Sequence, residues 1–354
     1  MDTYGGQTRR EQRFDPSSSG SSVFPKRTIL EFAFLAFALA PLLHFGNRAF
    51  LGTFSTVFAA IVLEALPFLL IGTVVSGFLG GFDSRGRVIR LLSKGGARTP
   101  FVAAALGLLF PVCECAIVPI VRKLMHKGVP PAAAIAFMLG APIVNVIVFG
   151  STAVAYALAW DFAFLRLVFG YCVAVFVSFV FAFFFQGRQS LLPSLSAFPM
   201  HDPVPEQVSG TLAYYLEKTR AALFHGAEDF IDMFSLLVMA AFVTALVHST
   251  VDRSFFYSLG EIPVLGIVLM MFLAVILSIC SEADAFIAAS FKLTLPLSAQ
   301  MAFMVLGPMV DLKLIFMCLG VFKKRAILLV GGTAFVAVLG LMLLFDAYVR
   351  WVLS

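Results

Sequence analysis

Two cysteines flank a glutamate in the stretch FPVCECAIVPIVRKLMHKG (Phe110 to Gly128), and a third cysteine opens CSEADA (Cys280 to Ala285). Thiolates are soft ligands, suited to trivalent arsenic or Cu(I) and poorly suited to Mg²⁺ or Ca²⁺. A Cys-x-Cys pair at an interrupted helix can aim the sulfurs of Cys113 and Cys115 at one centre, with Cys280 as a third. Glu114 between them has no packing role to explain it. Glu64, Glu114, Asp232, Glu282, Asp284 and Asp311 all sit in apolar segments. A carboxylate in hydrocarbon costs about 3 kcal/mol, so each must face a cavity, pair, or carry a proton. Desolvation disfavours the charged form of a carboxyl. Glu114 and Glu282 are therefore candidates for proton coupling, with Asp284 and Asp311 beside them; bonding to backbone amides freed at a helix break is the structural alternative. Lys313 or Arg166 is placed to neutralise one of these acids. Asn145 and Asp311 occupy matching positions after a Gly and a Pro, where an unwound turn would point polar groups inward toward a solute. Helix capping is their alternative role.

The elements that must hold these residues are apolar. The chain has 354 residues, 60% hydrophobic and 13% charged, with a mean hydropathy of +0.98, which is the composition of an integral membrane protein. Apolar segments run at about 28 to 46, 53 to 82, 100 to 121, 130 to 159, 162 to 185, 230 to 250, 262 to 291, 298 to 320 and 326 to 352. The expected fold is an all-α polytopic bundle. Residues 1–27 read as a polar cytoplasmic tail and 28–51 as an extra N-terminal membrane helix. Residues 186–228 read as a polar linker in which Thr211 to Gly226 forms an amphipathic helix on the membrane surface.

Composition also excludes. Enzyme classes that need a folded aqueous domain have no room here. No phosphate-binding Walker loop is present, and no Cys-x-x-Cys appears for thioredoxin-like redox chemistry or haem attachment. The five His residues lack the spacing of a zinc-protease helix, so neither a cofactor nor a resident metal is expected. The net charge of +5 sits in short connecting segments, as the positive-inside rule describes, and implies no nucleic-acid partner. Cys172 and Cys318 read as small hydrophobes.

The halves on either side of the linker, 52–185 and 229–354, resemble each other. IAFMLGAPIVN (Ile135 to Asn145) aligns without gaps to MAFMVLGPMVD (Met301 to Asp311), Glu114 falls opposite Glu282, and Glu64 opposite Asp232. Internal repeats of this kind mark transporter folds. If the third and seventh segments are re-entrant hairpins, the repeats are inverted and the basic residues gather on one side. Against this, 17 apolar residues precede Cys280 in the seventh segment, about 25 Å of helix. A broken spanning helix is the other arrangement.

With these residues placed, the sequence resembles the ArsP/YraQ-type predicted permeases of bacteria. The resemblance rests on PVCECAIVPIVRKLMHKGVPPAAAIAFMLGAPIVN, CSEADAFIAASF and LGPMVDLKL in order, and covers roughly Gly52 to Arg350. It implies a bacterial inner-membrane protein similar to exporters of trivalent organoarsenicals such as methylarsenite, with Cys113, Cys115 and Cys280 at the family's motif positions. It also implies that the chain works alone, as a homo-oligomer, or beside a second small membrane subunit. The leading expectation is a secondary exporter that binds a soft, thiol-reactive solute and is driven by protons or membrane potential. The rivals are a membrane thiol-redox protein using the Cys-x-Cys pair and a subunit of a two-component permease complex.

Overall fold

The computed structural model describes residues 48–82, 92, 98–108, 112–185, 211–250 and 263–353. The tail, most of the extra N-terminal helix and the linker up to residue 210 lie outside the described residues. Every regular element among the described residues is helical. They are α1 (Arg48–Phe82), α2 (Thr99–Ala105, extended by a 3₁₀ turn, Leu106–Leu108), α3 (Glu114–His126), α4 (Pro131–Gly140), α5 (Val146–Ala155) and α6 (Trp160–Phe184). After the linker come α7 (Thr211–Thr250), α8 (Pro263–Leu277), α9 (Asp284–Ser290), α10 (Leu297–Leu306), α11 (Leu312–Leu319) and α12 (Lys324–Leu353). Among the described residues, three stretches, Phe50–Val75, Trp160–Phe184 and Lys324–Val352, are long and apolar enough to cross a bilayer. The chain is a polytopic-type helical membrane protein, and residues from 52 onward form one compact unit.

The direction of each helix follows from its neighbours. Gly140 lies against Ala104 and Gly107 against Ala141, so α2 and α4 run side by side in the same direction. The chain reaches α4 from the end of α3 through four residues, where Gly128 takes φ +94°, a left-handed conformation that suits glycine. Helices α2 and α3 therefore enter and leave the bundle at one end, as a hairpin whose tip is Val112–Glu114. Along α6, Ser178 donates to the Ala132 carbonyl at 2.7 Å and Arg166 donates to Thr152 at 2.8 Å, while Gly170 between them meets Ile143. Helices α4 and α5 thus form one broken rod lying antiparallel to α6. Each half has 10 residues, about 15 Å, roughly half the hydrocarbon thickness of a bilayer. The break sits at mid-depth of the bundle.

The second half repeats the arrangement. Ala274 lies near Gly307 and Ser278 Oγ accepts from Leu312 N at 3.0 Å, so α8 runs alongside α10 and turns back into α9. Ser298 donates to Asp346 at 2.8 Å and Val310 meets Gly331, so α10 and α11 form a broken rod antiparallel to α12. The two halves point in opposite directions. Tyr156, at the far end of α5, donates to Gln300 at the start of α10 at 2.8 Å, and Phe169 of α6 packs on Phe345 near the end of α12 at 5.2 Å. Consequently α3 packs on α11 and α9 packs on α5, each hairpin tip resting on the broken rod of the other half.

One element departs from the sequence reading. Thr211 to Gly226 is no separate surface helix but the opening of the 40-residue α7. No Pro interrupts this stretch, so the backbone ladder continues, and Gly226 brings α7 close to the Thr73 carbonyl of α1.

Close backbone approach at the first hairpin makes a stability prediction. A Cβ on Gly107 would fall 2.5 Å from the Ala141 Cα, a position that cannot relax by rotating a side chain. Gly107→Val is expected to destabilise by about 1–3 kcal/mol, measured by thermal unfolding in detergent against a Gly52→Val control, where a Cβ meets nothing within 4 Å. Equal stability of the two variants would refute the α2–α4 contact.

Candidate functional site

Each hairpin tip ends on a cysteine. Cys113 is extended (φ −78°, ψ 171°) and caps α3 with its backbone; its carbonyl accepts from Ala116 and Ile117, both at 3.2 Å. The Cys280 carbonyl likewise accepts from Ala283 and Asp284, both at 3.0 Å. Such a doubly accepting carbonyl recurs at helix starts here, as at Ala283, the N-cap of α9, which accepts from Phe286 at 3.2 Å and Ile287 at 3.4 Å. Pro119, one turn into α3, lacks the N–H that the Cys115 carbonyl would otherwise use.

The thiols of these tips lie close together: that of Cys113 interacts with those of Cys115 and Cys280, and all three are buried free thiols. Cys280 Sγ donates to Glu282 Oε2 at 2.7 Å, and Glu64 of α1 also reaches Cys280. Among the described residues, no group of three or more His, Cys, Asp or Glu has the arrangement of a metal centre.

Two buried ion pairs bracket the thiols, and each joins one half to the other. Lys313, on α11, places Nζ 3.3 Å from Glu114 Oε1 and 3.8 Å from Asp311 Oδ2. Arg166, on α6, pairs with Asp284 at 2.8 Å and also donates to Thr152 at 2.8 Å and to the Ser281 carbonyl at 3.1 Å. Each of the four charged partners, Glu114, Lys313, Arg166 and Asp284, is at most 3% exposed. Desolvating four charges is expensive, and it is tolerated only when the pairs are well made. They are not fully made: Glu114 Oε2, Asp311 Oδ2, Arg166 Nε, Asp284 Oδ1 and Ser281 Oγ are buried without hydrogen-bond partners. Glu114 and Asp311 share the Lys313 ammonium, while Glu282 and Glu64 lie by the Cys280 thiol.

Asn145 and Asp311 act first as caps. Asn145 Oδ1 accepts from Ile147 N at 2.9 Å and Asp311 Oδ1 from Leu314 N at 2.5 Å, which holds the two breaks open at equivalent places. Asn145 Nδ2 is buried without a hydrogen bond, and Asp311 Oδ2 faces the Lys313 ammonium at 3.8 Å. At the second tip, Ser278 takes φ +48°, a strained backbone for a non-glycine residue, and its hydroxyl ties α8 to α11 through Leu312 N.

Sequence reasoning placed Cys113, Cys115, Cys280, Glu114, Glu282, Asp284, Asn145 and Asp311 near the two breaks, and the breaks adjoin each other. It left Arg166 and Lys313 interchangeable and did not single out Thr152, Ser281 or Ser278. A charged residue inside the apolar 25-residue stretch Trp160–Phe184 was the available signal for Arg166. The hydroxyls carried none, because Ser and Thr are common in membrane helices.

The sequence matches the family described as predicted permease (ArsP_1) over residues 50–346. It is 38% identical over 275 residues to UPF0718 protein YcgR of Bacillus subtilis, covering 78% of this chain and 90% of that protein. It is 37% identical over 278 residues to a Streptococcus mutans protein named as a two-component membrane permease complex subunit, again covering 78% and 90%. No solved structure matches. The family description and the name of the Streptococcus mutans protein are those of transport proteins rather than enzymes. Opposed helical halves, ion pairs buried between them and a family match across most of the chain agree: the chain belongs to the ArsP_1 predicted permease family and is a membrane permease.

Proposed function

We propose that this permease is a multi-pass protein of the bacterial inner membrane that exports a soft, thiol-reactive solute, a trivalent organoarsenical such as methylarsenite. The observation that carries the reading is the contact of Cys113 with Cys115 and Cys280 at the two hairpin tips. Trivalent arsenic exchanges hydroxyls for thiolate sulfurs, and three neighbouring thiols supply them. Asn145, through its free amide nitrogen, offers a polar contact to a solute hydroxyl. Glu114 and Glu282, each touching this centre, take up the protons that drive the cycle, with Asp311 and Asp284 in the same two clusters. Transport follows from rocking one half against the other, so that the thiol centre faces first one side and then the other.

The test is uptake of methylarsenite into everted membrane vesicles energised by a proton gradient. Wild type is expected to accumulate it and the Cys113→Ser, Cys115→Ser variant to fall to the level of empty vesicles. Equal accumulation by both would end the thiol reading.

The name of the Streptococcus mutans relative supports a second reading, in which this chain is one subunit of a two-component permease. Purified alone and reconstituted in proteoliposomes, it would then carry nothing until a second small membrane protein was added. Transport by the single chain would exclude that reading.

A further inference from the structure

Outside the central cluster, an apolar cavity of about 30 Å³ opens between α4, α11, α12 and the break that joins α10 to α11. Its walls include Ile135, Leu314 and Val330, and three sulfur-bearing side chains line it, Met138, Met309 and Cys318. All three are at most 4% exposed. Cys318 Sγ lies 3.9 Å from Met138 Sδ. Metal–sulfur bonds of about 2.3 Å, as in zinc thiolates, set the sulfurs of a trigonal three-sulfur site about 4 Å apart by simple geometry. The two sulfurs already stand at that separation. A dry apolar pocket repels hydrated cations, and it presents no oxygen ligand for Mg²⁺ or Ca²⁺. An ion that exchanges its water for thiolate and thioether sulfur can enter it.

The geometry points to a second, independent site in this permease, in which Cys318, Met138 and Met309 bind one soft monovalent d¹⁰ cation, Cu(I) or its analogue Ag(I). On binding, the Cys318 S–H bond breaks, the proton leaves to solvent, and the thiolate forms the sulfur–metal bond while both thioethers donate lone pairs. The ion's single positive charge is cancelled by the thiolate, so no net charge is buried. No electron is transferred. The site does not rest on the export reading, since it shares no residue with the thiol cluster at the tips.

The experiment is anaerobic titration of the purified full-length protein with Cu(I) in competition with a chromophoric chelator. It uses a Cys113→Ser, Cys115→Ser, Cys280→Ser background to remove the central thiols. One tightly held equivalent is expected to persist in that background and to disappear in Cys318→Ser. Met138→Leu, which keeps the side-chain volume, is expected to weaken it about tenfold or more, since loss of an outer-shell partner alone costs a metal site about that much. X-ray absorption of the loaded background protein is expected to report sulfur as the whole ligand shell. No retained equivalent, an oxygen- or nitrogen-containing shell, or unchanged affinity in Met138→Leu would overturn the site. The last two readouts decide the matter even if Cys318→Ser does not fold.

Discussion

Replacing Arg166 by Met is expected to destabilise the protein by about 3–5 kcal/mol, the cost of breaking a buried ion pair from one side. The guanidinium makes three contacts in one plane, to Asp284, Thr152 and the Ser281 carbonyl. Its loss strands a buried carboxylate and a carbonyl at the second hairpin tip. The partner variant separates charge from packing. Asp284→Asn added to Arg166→Met removes the stranded charge and should recover most of the loss, because two neutral groups in place of a buried pair are often tolerated. Arg166→Lys is expected to fall between, since an ammonium cannot reproduce the planar, forked set of contacts. Unfolding in detergent measures all three. Arg166→Met as stable as wild type would mean that Asp284 finds another partner and that the pair does not tie the two halves together.

Glu114→Gln is expected to have the larger effect on activity. Gln keeps the shape of the side chain and a hydrogen bond to Lys313, and Lys313 retains Asp311 at 3.8 Å, so the fold should survive. What disappears is a carboxyl beside Cys113 and Cys115 that can exchange a proton with the cycle. If Glu114 couples transport to protons, proton-driven uptake of methylarsenite in everted vesicles should fall at least about tenfold, a minimum set by losing one positioned proton-transfer group. Binding of the arsenical, followed by protection of the cysteines from alkylation, should remain. Glu282→Gln is the comparison: it also loses the acceptor for the Cys280 thiol, at 2.7 Å, so its binding should weaken along with its transport. Unchanged proton dependence in both variants would move the coupling role to Asp311 and Asp284.

Membrane residence, the division into two related halves and the placing of unusual residues at breaks were legible because they are local properties. Hydropathy is a sum along a segment, and a carboxylate or Cys-Glu-Cys in an apolar run is anomalous whatever surrounds it. The Gly and Pro before Asn145 and Asp311 signalled interrupted helices for the same reason, since both residues weaken the backbone ladder where they stand. The family resemblance rested on those same short stretches.

Pairing was a different matter, because it depends on distance across the bundle rather than along the chain. Nothing in the sequence distinguishes Lys313 with Glu114, 199 residues apart, from Arg166 with that same acid. Antiparallel halves decide it, by laying α3 on α11 and α9 on α5. The hairpin direction of α2 was undecidable from hydropathy for a related reason, since apolar length alone does not say whether a helix turns back; the contacts of Gly107 and Gly140 settle it. The sequence by itself determined which groups are out of place in an apolar chain. Only the tertiary structure decided which of them meet, since an ion pair or a thiol cluster is formed by folding and has no existence in the order of residues.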